Sequence, residues 1–168
     1  MANGARVAIT GREADALEQA RKFIGGDVLS LQADVLSRNS LQKMAFDVQQ
    51  AFGALDIFFA NAGAAYVTPV ATTSEAQYDG LMDTNVRSVF FSVQAVEPVM
   101  REGGSIILNA AWLNLVGVPG RAILSASKAA VRSFCSHPFD GAAWPANSRK
   151  RRQPGVDRNA DSSWCGTV

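Results

Sequence analysis

The chain has 168 residues, 48% of them hydrophobic and 18% charged, with a formal net charge of +1. That size suits one domain with a buried core, and the profile excludes a wholly disordered chain and a strongly charged surface for polyanions such as nucleic acid. No basic stretch followed by an apolar run opens the sequence, and no segment nears the ~20 apolar residues of a bilayer span, so a cytoplasmic protein with no membrane partner is expected.

Four strand-like apolar runs punctuate the chain: "ARVAIT" (5–10), "DVLSLQA" (27–33), "LDIFFA" (55–60) and "GSIILNA" (104–110), each bounded by Gly, Asp or Asn. After the first, Leu17, Ala20 and Ile24 recur at helical steps and stop at Gly25-Gly26. After the second, Leu41, Ala45, Val48 and Phe52 do the same and end at Gly53. After the third, Ser74 and Gln77 form a capping-box pattern that opens a long helix. Its apolar stripe is Leu81, Met82, Val86, Val89, Val93 and Val96, and Pro98 bends or ends it. A last helix is predicted from near Ser125 in "SASKAAVRSF".

Strands alternating with amphipathic helices need crossover connections, which predicts an α/β domain with a doubly wound, mostly parallel sheet covered on both faces. Double cover accounts for the uninterrupted apolar character of "DIFFA" and "SIIL". From Cys135 onward the composition changes. That stretch holds three Pro, two of the three Trp, both Cys, the single His and the run Arg149-Lys150-Arg151-Arg152, with no sustained period. A boundary is expected at Phe134/Cys135, separating a domain at 1–134 from an irregular tail at 135–168. Cys135 and Cys165 lack metal-type spacing and are read as reduced thiols.

The stretches "FFANAG" (58–63), "MDTNVRSVFFSVQA" (82–95), "GSIILNAAW" (104–112) and "VPGRAILSASKAAVRSF" (118–134) together resemble the short-chain dehydrogenase/reductase family, in order and in spacing, over residues 4 to 134. The resemblance implies a Rossmann-like fold and an NAD(P)-dependent oxidoreductase acting on an alcohol or carbonyl. It assigns Asn61-Ala62-Gly63 to a signature where the chain passes close to the cofactor; an ordinary Asn-x-Gly turn is the other reading. Asp34-Val35 matches the acidic position beside the adenine. Thr10-Gly11-Arg12 matches the end of the family's second strand, where a basic residue favours the 2′-phosphate of NADP over NAD. Arg12 read by itself is equally a solvated charge.

No glycine occurs between Gly11 and Gly25, so the family's phosphate-binding turn is not built from this segment. The family's first strand and glycine loop are therefore expected to be missing, which leaves a partial sheet with open apolar edges or forces an unfamiliar pairing.

Four catalytic positions carry over. Asn85 and Lys128 match the family's asparagine and lysine, although a buried Asn on an apolar stripe is also an ordinary structural residue. The lysine chemistry needs a tyrosine four residues earlier on the same helix face, where an ammonium lowers the hydroxyl pKa. Here that position is Leu124, and the family's serine aligns with Ala111. Neither side chain gives or polarises anything, so an inactive or strongly impaired pseudoenzyme is expected. Trp112 and Val118 fall near where a substrate would sit.

The tail admits a further reading. Synonymous codons can be chosen for Cys135 to Val156 that, read one nucleotide later, encode "ARTLSMELLGPRIRVNAVSPG", which resembles the family's next helix and strand. Out-of-frame translation of 135–168 would also account for the basic run without a nucleic-acid partner. Two rival roles stand beside the impaired enzyme. One is a non-catalytic remnant that forms homo- or hetero-oligomers through the helices carrying Asn85 and Lys128, and the other is a degraded product with no role.

Overall fold

A computed structural model describes residues 4–114 and 117–135. In chain order they form β1 (Val7–Gly11), α1 (Ala14–Ile24), β2 (Val28–Gln32), α2 (Arg38–Phe52), β3 (Leu55–Ala60), α3 (Glu75–Met82), α4 (Ser88–Val96), β4 (Met100–Leu108) and α5 (Ala122–Phe134). The alternation of strand and helix is the one the apolar periodicities predict. The tail with its frame reading, its basic run and Cys165 lies outside the described residues, as does all of the second expected domain beyond Cys135.

Local chemistry sets the ends. Ser37 caps α2 by accepting from the Ser40 amide at 3.3 Å. Ser74 and Gln77 make both halves of the expected capping box at α3. Gly25 and Gly53 end α1 and α2 with φ of 70° and 80°, a region closed to most side chains.

Three boundaries differ from expectation. β4 begins at Met100 rather than at Gly104, because Met100 pairs with Leu55 before the register shifts to Ile57 opposite Ser105. It stops at Leu108, although the Asn109 amide still donates to the Ala60 carbonyl at 3.1 Å. The expected single helix between Ser74 and Pro98 is interrupted by one π-helical turn, Asp83–Arg87, and α5 starts at Ala122.

The sheet is split. β1 pairs in parallel with β2, from Val7 opposite Val28 to Gly11 opposite Gln32, and β3 pairs in parallel with β4. Among the described residues no ladder joins the two pairs, so of the two outcomes the sequence analysis expects, they show open edges rather than an unfamiliar pairing.

Helix α2 spans the split. Its Leu41, Met44 and Ala45 pack with Ala33 beyond β2, with Val96 and Val99, and against Leu31, Leu55 and Phe58. A second cluster joins Ala60, Ile106 and Leu108 to Val89 and Val93 of α4 and Val131 of α5. Phe58 and Ala60 thus face helices. Ile57 and Phe59, on the opposite side of the pleat, remain 63% and 55% exposed. Among the described residues double cover therefore fails at Ile57 and Phe59 of β3. No helix among the described residues is long and apolar enough to cross a membrane.

Candidate active site

The polar side chains gather where β3 and β4 end. β3 leads into Asn61-Ala62-Gly63 and β4 into Asn109, and the two asparagines meet, Asn109 Nδ2 donating to Asn61 Oδ1 at 2.7 Å. Parallel strands deliver their C-terminal ends to one edge, which is why residues 48 apart in sequence touch.

Asn85 sits in the π-helical turn with no exposed surface. Its Oδ1 accepts from the Ala64 amide at 2.8 Å, and its Nδ2 donates to the Ala64 carbonyl at 2.9 Å and to Ser127 Oγ at 3.1 Å. Ser127 Oγ in turn donates to the Leu124 carbonyl at 2.7 Å. The amide is therefore fully engaged as a clamp between the loop after β3 and helix α5, and its burial costs little because each polar atom is bonded. Gly63 makes the approach possible: a Cβ there would lie 3.2 Å from Asn85 Oδ1 and 3.7 Å from Lys128 Nζ.

Lys128 is half-buried on α5, and its Nζ donates to the Asn109 carbonyl at 2.7 Å. Burial disfavours the charged ammonium and lowers its pKa below the ordinary lysine value. One turn earlier stands Leu124, 5% exposed, at the position where the resemblance places the family's tyrosine. Ala111, beyond the end of β4, is half-buried. Trp112 is exposed, as is Val118 at its margin.

Arg12, Asp34 and Val35 belong to the other strand pair. Arg12, Gln32, Ala33, Asp34 and Ser40 line an open hollow of about 340 Å³ at the ends of β1 and β2. Arg12 is exposed and makes no ion pair among the described residues; its carbonyl accepts from Gln32 Nε2 at 2.8 Å. Asp34 Oδ1 accepts from the Leu36 amide at 3.0 Å, and the Asp34 amide donates to Ser40 Oγ at 3.0 Å. Val35 packs into the α2 core.

The structure thus draws Asn61, Ala62, Gly63, Asn85, Leu124 and Lys128 into one constellation and leaves Arg12 and Asp34 in a second. Two members escaped the sequence reading, Ser127 and Asn109. Ser127 follows Leu124 by three and so shares the inward face of α5, and Asn109 ends an apolar strand next to a second strand-end asparagine. Both signals were present but unspecific.

These residues fit two ends of a dinucleotide, one beside Arg12 and Asp34 and one beside Gly63 and Lys128. No glycine-rich turn for its pyrophosphate follows β1, and the N-terminus of α1, which comes after the strand matched to the family's second, has Glu13 as its cap residue with no side-chain cap bond and Asp15 in its first turn, so it offers no anion site of its own.

A family model described as enoyl-(acyl carrier protein) reductase matches residues 1–137. The chain is 35% identical over 133 residues to the oxidoreductase asL5 of Sarocladium schorii, covering 78% of this chain and 53% of that protein. It is 33% identical to the versicolorin reductase stcU of Emericella nidulans, covering 78% and 52%. Among solved structures, a short-chain dehydrogenase/reductase from Serratia marcescens matches with a TM-score of 0.74 at 31% identity, over 80% of this chain and 57% of that one. A dehydrogenase/reductase from Sinorhizobium meliloti matches with 0.71 at 29% identity, over 79% and 55%. The chain spans about half the length of the curated relatives it matches. With the match running from the first strand through α5, the chain belongs to the short-chain dehydrogenase/reductase family.

Proposed function

We propose that the chain is an NAD(P)-type oxidoreductase scaffold whose own turnover of alcohols or carbonyls is abolished or strongly reduced. The observation that carries this reading is the buried Leu124 one turn before Lys128, with Ala111 in place of a hydroxyl. In this family a nicotinamide cofactor supplies or accepts the hydride, and the protein orients the reactants and moves the proton. Here Asn85 holds the backbone at Ala64 and so fixes the loop beside Gly63. Lys128 holds an ammonium against the Asn109 carbonyl. Leu124 and Ala111 leave no side-chain hydroxyl to pass a proton to a carbonyl oxygen, a contribution usually worth about 10²–10⁴ in rate. The exposed, unpaired Arg12 supports NADP over NAD as the nucleotide, and the reading places the chain in the cytoplasm.

Two measurements test it. Oxidation of NADPH with a panel of ketones and aldehydes is expected to stay at background for the wild-type chain, and turnover that Lys128→Ala abolishes would overturn the reading. Fluorescence titration of NADPH is expected to weaken in Arg12→Glu; equal binding of NADPH by both proteins would remove Arg12 from the nucleotide site.

A second reading, docking on another family member, draws on the face carrying α3 and α5. There a hollow of about 590 Å³ is lined by Thr68, Val70, Tyr78 and Ile123, with Val70 and Tyr78 exposed. Co-purification with a full-length relative, lost on Tyr78→Asp, is the outcome expected of it.

A further inference from the structure

The lysines of the described residues, Lys22, Lys43 and Lys128, keep different company. Lys22 Nζ lies 3.6 Å from Glu18 Oε1, and Lys43 Nζ pairs with Asp47 Oδ2, both on exposed helix faces. A carboxylate neighbour favours the ammonium, and an ammonium has no lone pair to give to an electrophile. Lys128 has no carboxylate partner among the described residues. Its Nζ donates to the Asn109 backbone carbonyl at 2.7 Å, a neutral acceptor that engages one N–H and leaves a deprotonated amine its lone pair. Burial lowers the pKa of Lys128, and no charged group contributes to that shift. The surroundings also leave room on one flank. A Cβ at Gly63 would stand 3.7 Å from Nζ, so the glycine keeps that side of the amine free of a side chain. Leu124, one turn earlier on α5, adds an apolar neighbour and no hydroxyl.

We propose that Lys128 is a nucleophile that captures small aldehydes as an imine, a covalent activity separate from hydride transfer and independent of any nucleotide. The lone pair of the neutral amine attacks the carbonyl carbon, and a C–N bond forms as the π pair of the C=O bond moves to oxygen. A proton passes from nitrogen to that oxygen through solvent, giving a carbinolamine. The hydroxyl then leaves with the second amine hydrogen as water, and the nitrogen lone pair closes the C=N bond. Nothing is oxidised or reduced, and the water carries off the carbonyl oxygen and both amine hydrogens. The Asn109 carbonyl positions the amine throughout, because a protonated imine still has one N–H to donate to it. An aldehyde is the substrate class that fits. Asn85 Oδ1 lies 3.2 Å from the same Gly63 Cβ position, so the free flank is narrow and favours a carbonyl carbon that bears a hydrogen.

The test incubates the full chain with butanal and sodium cyanoborohydride near neutral pH, without nucleotide. The reductant fixes each imine as a butyl amine, and peptide mass mapping reads every lysine separately. Lys128 is expected to be alkylated at least about ten-fold faster than Lys22 and Lys43 in the folded chain, with the difference lost in urea. Labelling of Lys128 no faster than that of Lys22 and Lys43 overturns the proposal. So does a preference for Lys128 that survives in urea, which would come from local sequence rather than from the fold. In Lys128→Arg the fast-labelled site is expected to vanish while Lys22 and Lys43 label as before; a fast phase that persists in that variant also overturns it. With no nucleotide present, failure here leaves the proposed lack of turnover standing, and NADPH oxidation by the chain would overturn that reading without touching this one.

Discussion

The two strand pairs share a topology and the part of the core built on α2, but differ in how deeply their own strands are buried. The β3–β4 pair is backed in addition by α4 and α5, where Val93, Val131 and Leu108 are almost wholly buried. The β1–β2 pair has no fully buried residue on β1, and α1 buries only Leu17. The constellation around Asn85 and Lys128 stands on the well-packed pair, while Arg12 and Asp34 stand on the thinner one, joined to it through α2. A half-site can therefore keep its geometry when its neighbour is loosely held, because each pair has its own hydrogen-bonded ladder and the two are coupled by side-chain packing, through α2 and through Ala33 against Val96 and Val99.

Core truncation should break this comparison most sharply. Leu108→Ala is expected to cost about 2–5 kcal/mol, since the side chain is 2% exposed and its removal leaves a cavity. Leu17→Ala, at the margin of burial, is expected to cost about 1–2 kcal/mol. Urea unfolding of the two variants measures the difference, and equal losses would show that the halves are equally cored.

Polar truncation sharpens the same contrast at the site. Asn85→Ala leaves the Ala64 amide and carbonyl without their partner inside the protein and is expected to cost about 1–3 kcal/mol. Asn109→Ala removes an exposed bond and is expected to stay within about 0.5 kcal/mol. Thermal melts of the pair would refute the clamp role if the two shifts coincide.

Exchange of the unmodified chain reads the halves directly. Amides of β1 and β2 are expected to exchange about ten-fold faster than those of β3 and β4, through local opening rather than global unfolding. Uniform protection would mean that α2 couples the pairs into a single cooperative unit.

The smallest effect is the titration of Lys128. Its folded pKa lies below the ordinary lysine value, so between the two the unfolded chain binds more protons and stability rises with pH. The penalty for burying the ammonium is fully present below the folded pKa and is relieved as pH climbs through it towards about 10.4. Because the side chain is only partly buried, the gain is expected to be the smallest of these effects. Lys128→Met should flatten that alkaline rise, which denaturation at successive pH values would record.

Much of this was legible in the chain because it rests on local rules. Helical spacing of Leu41, Ala45 and Val48 marked α2, and the Ser74–Gln77 pair marked the start of α3. The resemblance carried by Asn61-Ala62-Gly63, Asn85 and Lys128 selected residues that the fold then gathers around the ends of β3 and β4. The apolar run "LDIFFA" misled on cover, since a run of hydrophobic residues records a strand's preference and not whether a helix is present to satisfy both faces. The π-helical turn was equally hidden, because the partners of Asn85 within it, Ala64 and Ser127, are far away in sequence.

By itself, then, the sequence determined the order of elements, the capping box at Ser74 and the glycine stops of α1 and α2, and that Leu124 and Ala111 stand where the family resemblance places a tyrosine and a serine. These are properties of single residues and of spacings within a few turns. Only the tertiary structure decided that the sheet divides between β1 and β3, that Asn85 is a clamp with every polar atom bonded, and that Lys128 rests on the Asn109 carbonyl. Each of those depends on which distant backbone groups find partners, and hydrogen-bond satisfaction across a fold is settled by packing rather than by local pattern.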